Sequence, residues 1–111
     1  MQAPLSGVRI LDLSAVVSGP MATGILADLG ADVIKVETQG GDLTRRVGPI
    51  KGDMTSLFAT INRGKRSIAV DLKKPEGIEA ALSLMDKADG LIEGFRPGVM
   101  ERLGVGPDVA L

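Results

Sequence analysis

A chain of 111 residues, 44% of them hydrophobic, has the length of one domain and enough apolar side chain to bury a core, which excludes an intrinsically disordered segment. Its 13 basic and 14 acidic residues nearly cancel, so overall charge draws it toward neither nucleic acid nor an anionic membrane. With no cysteine and no histidine it has no disulfide framework, no thiolate or imidazole metal ligand, no thiol nucleophile and not the commonest general base.

Met1 to Arg9 lacks a basic region followed by a long apolar run, and no apolar stretch approaches the ~18 residues that a membrane span needs. The expectation is a soluble, cytoplasmic protein. Phe58 and Phe95 are the only aromatics, which leaves the core to Val, Ile, Leu, Ala and Met. That composition suits the continuous apolar strands of a parallel sheet and favours an α/β fold over a β-sandwich.

Val8 to Leu13 reads as a buried strand and Ser14 to Pro20 as a turn. Met21 to Leu29 reads as a helix, with apolar residues at 21, 22, 25, 26 and 29. Pro20 suits the first turn of that helix, and Gly30 suits the left-handed residue just past its end. Ala31 to Val36 returns as a second strand, completing a Rossmann-like βαβ unit. Thr38 to Arg66, punctuated by glycine and proline, predicts a long irregular excursion with one short helix around Ser56 to Ile61. Ser67 to Asp71 is a further strand. Pro75 then opens a helix whose Ile78, Ala81, Leu82 and Met85 share a face. Gly90 to Glu93 is a short strand, Phe95 to Gly98 a turn and Val99 to Leu103 a brief helix ending at Gly104. Gly106 to Leu111 reads as the start of another helix.

Several motifs carry competing chemistry. Ser18 to Gly24 lies where a Rossmann protein places its pyrophosphate loop, and Glu37 ends the second strand where an acidic residue would bind a ribose. Gly19 and Gly24 do not reproduce the G-x-G-x-x-G spacing, however, and Pro20 removes an N–H from the place where donors would cradle phosphate, so a dinucleotide oxidoreductase is disfavoured. Asn62-Arg-Gly-Lys-Arg66 gathers three cations before a strand. These either hold a phosphate-bearing ligand or form a solvated loop paired with Asp42 and Asp53, and the second reading is favoured for an isolated cluster. Arg96 and Arg102 flank a turn at the carboxyl end of a strand, the side on which open α/β sheets bind ligands. Asp12, Asp71 and Glu93 sit near strand ends, but nothing in the sequence pairs them for acid–base work. Asp28, Asp32, Glu76 and Glu79 read as helix-surface or helix-end charges.

Taken together, Pro4 to Leu13, Gly19-Pro20, Leu26 to Glu37, Asn62 to Ser67, Asp71 to Gly77 and Glu93 to Gly104 resemble the class III CoA-transferases. This family, of CaiB/BaiF type, also holds the α-methylacyl-CoA racemases. The likeness runs in order along nearly the whole chain. It implies that residues 1–111 are the N-terminal part of a large Rossmann-like domain, with no second domain in this chain, and that the family's subunits interlock as a homodimer. It also implies the activity: CoA passes from an acyl-CoA thioester to a carboxylic acid acceptor through an aspartyl covalent intermediate. CoA and acyl-CoA would be substrates, with no tightly bound cofactor. Since the family's catalytic aspartate lies beyond Leu111, the chain alone is expected to be inactive, with no catalytic residue of its own.

Carried over by position, the resemblance places Val17 and Ser18 near the thiol end of CoA and the reacting acyl group. Thr38 falls near the adenine. Val70, Asp71, Leu72, Lys73, Gly94, Phe95, Arg96 and Arg102 fall along the nucleotide and pantetheine portions. Val17 stands where formyl-CoA transferases carry glutamine, and Thr38 where many members carry arginine. The sequence Ile34-Lys-Val-Glu37 leans toward transferases and the stretch from Ile92 to Gly104 toward racemases. A racemase, and a non-catalytic CoA- or nucleotide-binding module, are therefore the alternatives to a transferase.

Overall fold

Parallel strands fed by short helices are what this succession of apolar runs produces. The computed structural model describes residues 3–15, 17–38, 41–46, 50–51, 54–95, 97–104 and 106. Strand β1 (Arg9–Leu13) leads into α1 (Ser18–Asp28) and returns as β2 (Asp32–Glu37). The excursion that follows holds a 3-10 helix (Leu43–Arg46), a two-residue antiparallel pairing of β3 (Ile50–Lys51) with β4 (Met54–Thr55), and α2 (Ser56–Ile61). Then come β5 (Arg66–Ala69), α3 (Pro75–Asp86), β6 (Gly90–Glu93) and α4 (Val99–Leu103). The main sheet has the order β5-β2-β1-β6, with every neighbouring pair parallel. Among the parallel strands this is the third-second-first-fourth order of a Rossmann half, with all carboxyl ends along one edge.

The two faces of the sheet differ. On one, Leu11, Leu13, Val36 and Val70 pack with Ala81 and Met85 of α3 and with Met100 of α4. Alternation along the strands sends Asp12, Val33, Lys35 and Glu37 to the other face, which α1 covers. There the Thr23 hydroxyl donates to Asp12 Oδ2 at 2.6 Å.

The start of α1 differs from the sequence expectation. The helix begins at Ser18 rather than Met21, so Pro20 is its third residue, still within the turn whose N–H groups lack helical acceptors. Its apolar stripe is not its inward side: Pro20 and Thr23 are buried while Met21, Ile25 and Leu29 remain exposed. The close approach of α2 sets this rotation: a Cβ at Gly24 would stand 2.7 Å from the Ile61 carbonyl oxygen. The end of the helix matches expectation. Gly30 has φ +104°, the Gly30 N–H donates to the Ala27 carbonyl at 3.0 Å, and the Ala31 N–H donates to that of Leu26 at 3.1 Å, a Schellman cap.

The excursion contains α2 where it was expected, and in addition the 3-10 helix and the small hairpin, which the glycine-rich composition concealed. Strand β5 ends at Ala69, so Val70 and Asp71 lie past the ladder rather than within it. The helix expected to start at Gly106 falls almost wholly outside the described residues.

Helix α3 buries the expected stripe, with Ala81 and Met85 inside. Its start is jammed against the preceding turn, since a Cβ on Gly77 would overlap the Asp71 carbonyl oxygen and come within 3.2 Å of Val70 Cγ1. Alanine is the better helix former by up to ~1 kcal/mol, yet Gly77→Ala is expected to destabilise the protein by about 2 kcal/mol through this overlap. Urea unfolding measures it, and an unchanged midpoint would show that the turn relaxes at no cost.

Candidate functional site

The strand ends leave a cleft of about 500 Å³ at the carboxyl edge of the sheet, where open α/β sheets bind ligands. Its walls come from four connections. Leu13 to Ala15 leave β1, Val36 to Thr38 end β2 with Gly41 and Asp42 beyond, Val70 to Lys73 follow β5, and Phe95, Val99 and Leu103 follow β6. Most of the lining is apolar, with Thr38, Asp71 and Lys73 adding polar groups. The turn after β5 is shaped by its own side chain. Val70 still donates to the Glu37 carbonyl at 2.8 Å. Asp71 Oδ1 then accepts the Lys73 N–H at 3.0 Å, and the Asp71 carbonyl accepts that of Lys74 at 3.2 Å. This local hydrogen bonding bends the chain out of the sheet and sets Leu72 and Lys73 on the cleft wall.

The structure thus gathers Thr38, Val70, Asp71, Leu72, Lys73 and Phe95 around one cavity. It does not bring Val17, Ser18, Gly94 or Arg102 into the lining. Val17 and Ser18 stand exposed at the start of α1, and Gly94 is exposed beside Phe95. Arg102 is turned back along its own helix, its Nε donating to the Gly98 carbonyl at 3.3 Å. Arg96 lies outside the described residues. Residues missed in the sequence include Ser14, Val99 and Leu103. Val99 and Leu103 are four apart on a helix and so share a face, a signal that was readable.

Behind the cleft lies a buried polar network. Asp12, 0% exposed, accepts from the Ser14 N–H at 2.8 Å, from the Ser14 hydroxyl, from Thr23 and from Lys65 Nζ at 3.0 Å. Lys65 Nζ also donates to the Pro20 carbonyl at 2.9 Å and to Asn62 Oδ1 at 2.7 Å, which accounts for its three protons. Lys35 Nζ stands 2.9 Å from Asp42 Oδ2, with both side chains 1% exposed. Glu37 takes both prongs of Arg45, each at 2.8 Å, together with the Ser67 hydroxyl and the Asp42 N–H. Arg45 lies over the Phe58 ring, 3.8 Å from its centroid.

These partners settle several sequence alternatives. Among the described residues the three cations of the basic cluster are each paired, and none of them with Asp42. Arg63 pairs with Asp28, Lys65 with Asp12 and Arg66 with Asp32, while Asp42 pairs with Lys35 and Asp53 lies outside the described residues. Asp28, exposed at the end of α1 as expected, pairs with Arg63, whereas Asp32 begins β2 rather than lying on a helix and pairs with Arg9 and Arg66. Glu37, already committed to four donors, is not presented to a ribose, which agrees with the disfavoured dinucleotide reading. Asp71 and Glu93 each accept a backbone N–H two residues on. Among the described residues no group of acidic side chains could hold a metal ion, and no helix is long and apolar enough to cross a membrane.

Burial alone would push these carboxyls up, but their donors outweigh it. Ser14, Thr23 and Lys65 hold Asp12 below the ordinary aspartate value, and Thr44 with Lys35 does the same for Asp42. Arg45, Ser67 and the Asp42 N–H bring Glu37 down to about 2. Burial lowers the Lys65 ammonium, with Asp12 pulling in the opposite sense. These donors hold the three carboxylates in fixed positions behind the cleft.

A family model described as CoA-transferase family III matches residues 5–110. A probable fatty acyl-CoA transferase of Mycobacterium tuberculosis is 46% identical over 108 residues, covering 95% of this chain and 27% of its own length. The acetyl-CoA:oxalate CoA-transferase of Acetobacter aceti is 48% identical over 104 residues, covering 93% of this chain and 27% of its own. A crystal structure of a CAIB/BAIF family protein from Brucella suis superposes with a TM-score of 0.94 at 38% identity, over 99% of this chain and 30% of that one. The chain thus spans a little over a quarter of the length of the relatives it matches.

Two outcomes test the network. Lys65→Met leaves Asp12 charged and buried, and is expected to cost about 4 kcal/mol of stability, with Asp12→Asn in the same chain restoring part of it. Thermal or urea unfolding reads this, and additive losses would mean the pair is uncoupled. For pH, Glu37 binds its proton less readily in the folded chain (about 2) than at the ordinary 4.5. Its stabilisation is therefore complete above about 4.5 and lost as pH falls toward 2. Glu37→Gln should flatten that part of the stability profile and cost about 2 kcal/mol at neutral pH.

Proposed function

This chain belongs to CoA-transferase family III, and from that premise we propose that its cleft receives the nucleotide and pantetheine part of an acyl-CoA. The observation that carries this reading is the convergence of Thr38, Val70 to Lys73 and Phe95 on one largely apolar cavity at the carboxyl edge of the sheet. A cavity of that kind suits a long, amphipathic ligand: apolar walls take the adenine and the pantetheine methyls, and backbone groups at strand ends take its amides. Lys73 supplies a mobile cation at the rim for the phosphates. Val17 and Ser18, exposed at the start of α1 and outside the lining, are left to the thioester end, with Gly94, Arg96 and Arg102 as further contacts by the same resemblance.

The reaction we assign to the whole polypeptide is transfer of CoA between an acyl-CoA thioester and a carboxylic acid. An aspartate carboxylate attacks the thioester carbonyl and releases CoA thiolate, leaving a mixed anhydride. The thiolate then captures the aspartyl carbonyl as an enzyme thioester and expels the donor carboxylate. The acceptor carboxylate displaces the thiolate to form a second anhydride, and the thiolate attacks its acyl carbonyl, giving the new acyl-CoA and freeing the aspartate. That aspartate is placed outside residues 1–111, which makes this chain a binding part and inactive alone. A cytoplasmic homodimer follows from the same resemblance. The transferase names of both sequence relatives favour this reading over a racemase.

Calorimetric titration with CoA tests the cleft. Saturable binding is expected, with Lys73→Ala weakening it about tenfold at low salt and less at high salt. Phe95→Ala should weaken it at all salt concentrations. Equal affinity in both variants and the parent would remove the cleft from CoA recognition.

A further inference from the structure

Lys35 touches both sides of the cleft from beneath. Its ammonium donates to the Ser14 carbonyl at 3.3 Å and lies 2.9 Å from Asp42 Oδ2. Ser14 belongs to the wall that leaves β1 and Asp42 to the wall that leaves β2, and both line the cavity. Each wall segment is itself stiff. Asp42 Oδ1 accepts the Thr44 N–H at 3.0 Å and its hydroxyl at 2.9 Å, while the Asp42 N–H donates to Glu37 at 2.8 Å. On the other side, the turn after β1 folds back so closely that a Cβ on Gly19 would strike the Ser14 side chain. Lys65 grips the far end of that turn at the Pro20 carbonyl. Two rigid walls are thus joined from below by one buried cation.

The sheet itself does not require that cation. A methionine would fill much the same volume, and replacing a buried ion pair by neutral groups of similar shape is often neutral for stability. What methionine cannot do is hold the Ser14 carbonyl at a fixed distance from Asp42. We propose that Lys35 is a positioning residue that sets the spacing of the two cleft walls, and through it the affinity for the ligand. The proposal rests on the CoA reading of the cleft.

The test compares Lys35→Met with the double variant Lys35→Met/Asp42→Asn in the native protein that carries this chain. The single change takes a cation away from the buried Asp42 carboxylate and lowers the unfolding temperature. The double variant removes that charge, keeps an Oδ1 acceptor for Thr44 and regains most of the lost temperature. The Kd for CoA, measured well below the unfolding temperatures where both variants are fully folded, is expected to rise on the order of tenfold in both. A double variant that regains affinity along with stability overturns the proposal, and so does one that fails to fold, since either makes the ammonium a stability element. If the parent protein binds no CoA, the cleft reading fails separately. Amide exchange across residues 11–22 and 41–46 then decides the role of Lys35: faster exchange in the folded double variant supports wall positioning, and exchange equal to the parent overturns it.

Discussion

Two lysine ammoniums buried on one face of the sheet set the terms for the rest of this structure. An ammonium without water is tolerated only when a counter-charge and hydrogen-bond acceptors stand in for its hydration. Lys65 meets that demand with a carboxylate, a backbone carbonyl and a side-chain amide drawn from β1, α1 and the end of α2. Lys35 meets it with a carboxylate and a carbonyl from the loops after β2 and β1. Satisfying both brings the excursion after β2 down onto the sheet, rather than leaving it in solvent.

The faces consequently divide the work. Leu11, Leu13, Val36, Ala81 and Met85 supply the apolar cohesion of the core. The opposite face carries charge and gives up some of that cohesion in exchange for fixed positions of the loops at the carboxyl edge. The cleft opens between these loops, so its shape is inherited from the polar face although its lining is mostly apolar. Glu37 shows how the same backbone serves different ends. In a dinucleotide-binding protein an acidic residue at this strand end faces a ribose, whereas here it is turned inward to Arg45 and Ser67 and anchors the excursion.

Elements whose signal is local were legible in the sequence. The period of β1, β2 and α3, the proline that opens α3 and the glycine that closes α1 all act within a few residues, and each was found where expected. The apolar spacing of α1 disclosed a helix but not which side of it would be covered, because spacing cannot tell which neighbour approaches; Gly24 lies against the Ile61 carbonyl, across distant sequence. Lys35 and Asp12 are the clearest case. They stand side by side on adjacent strands, yet neither takes the other as partner. Lys35 turns to Asp42 and Asp12 to Lys65, so neither the pattern nor the strand register discloses the ion pairs. At the cleft, Val70 to Lys73 were reached through the family resemblance, while Ser14 and Asp42 are joined through Lys35, a link that no local pattern discloses.

The span of one of these contacts bears on how the chain comes to be folded. Asp12 and Lys65 are separated by 53 positions, and between them lie α1, β2, the 3-10 helix and α2. During synthesis the first strand–helix–strand unit is complete well before Lys65 is available, and until then Asp12 has no cation from that turn to accompany it out of water. The βαβ unit, which looks self-contained on paper, thus completes its polar packing only through a contact of long sequence range, which couples the sheet to the excursion.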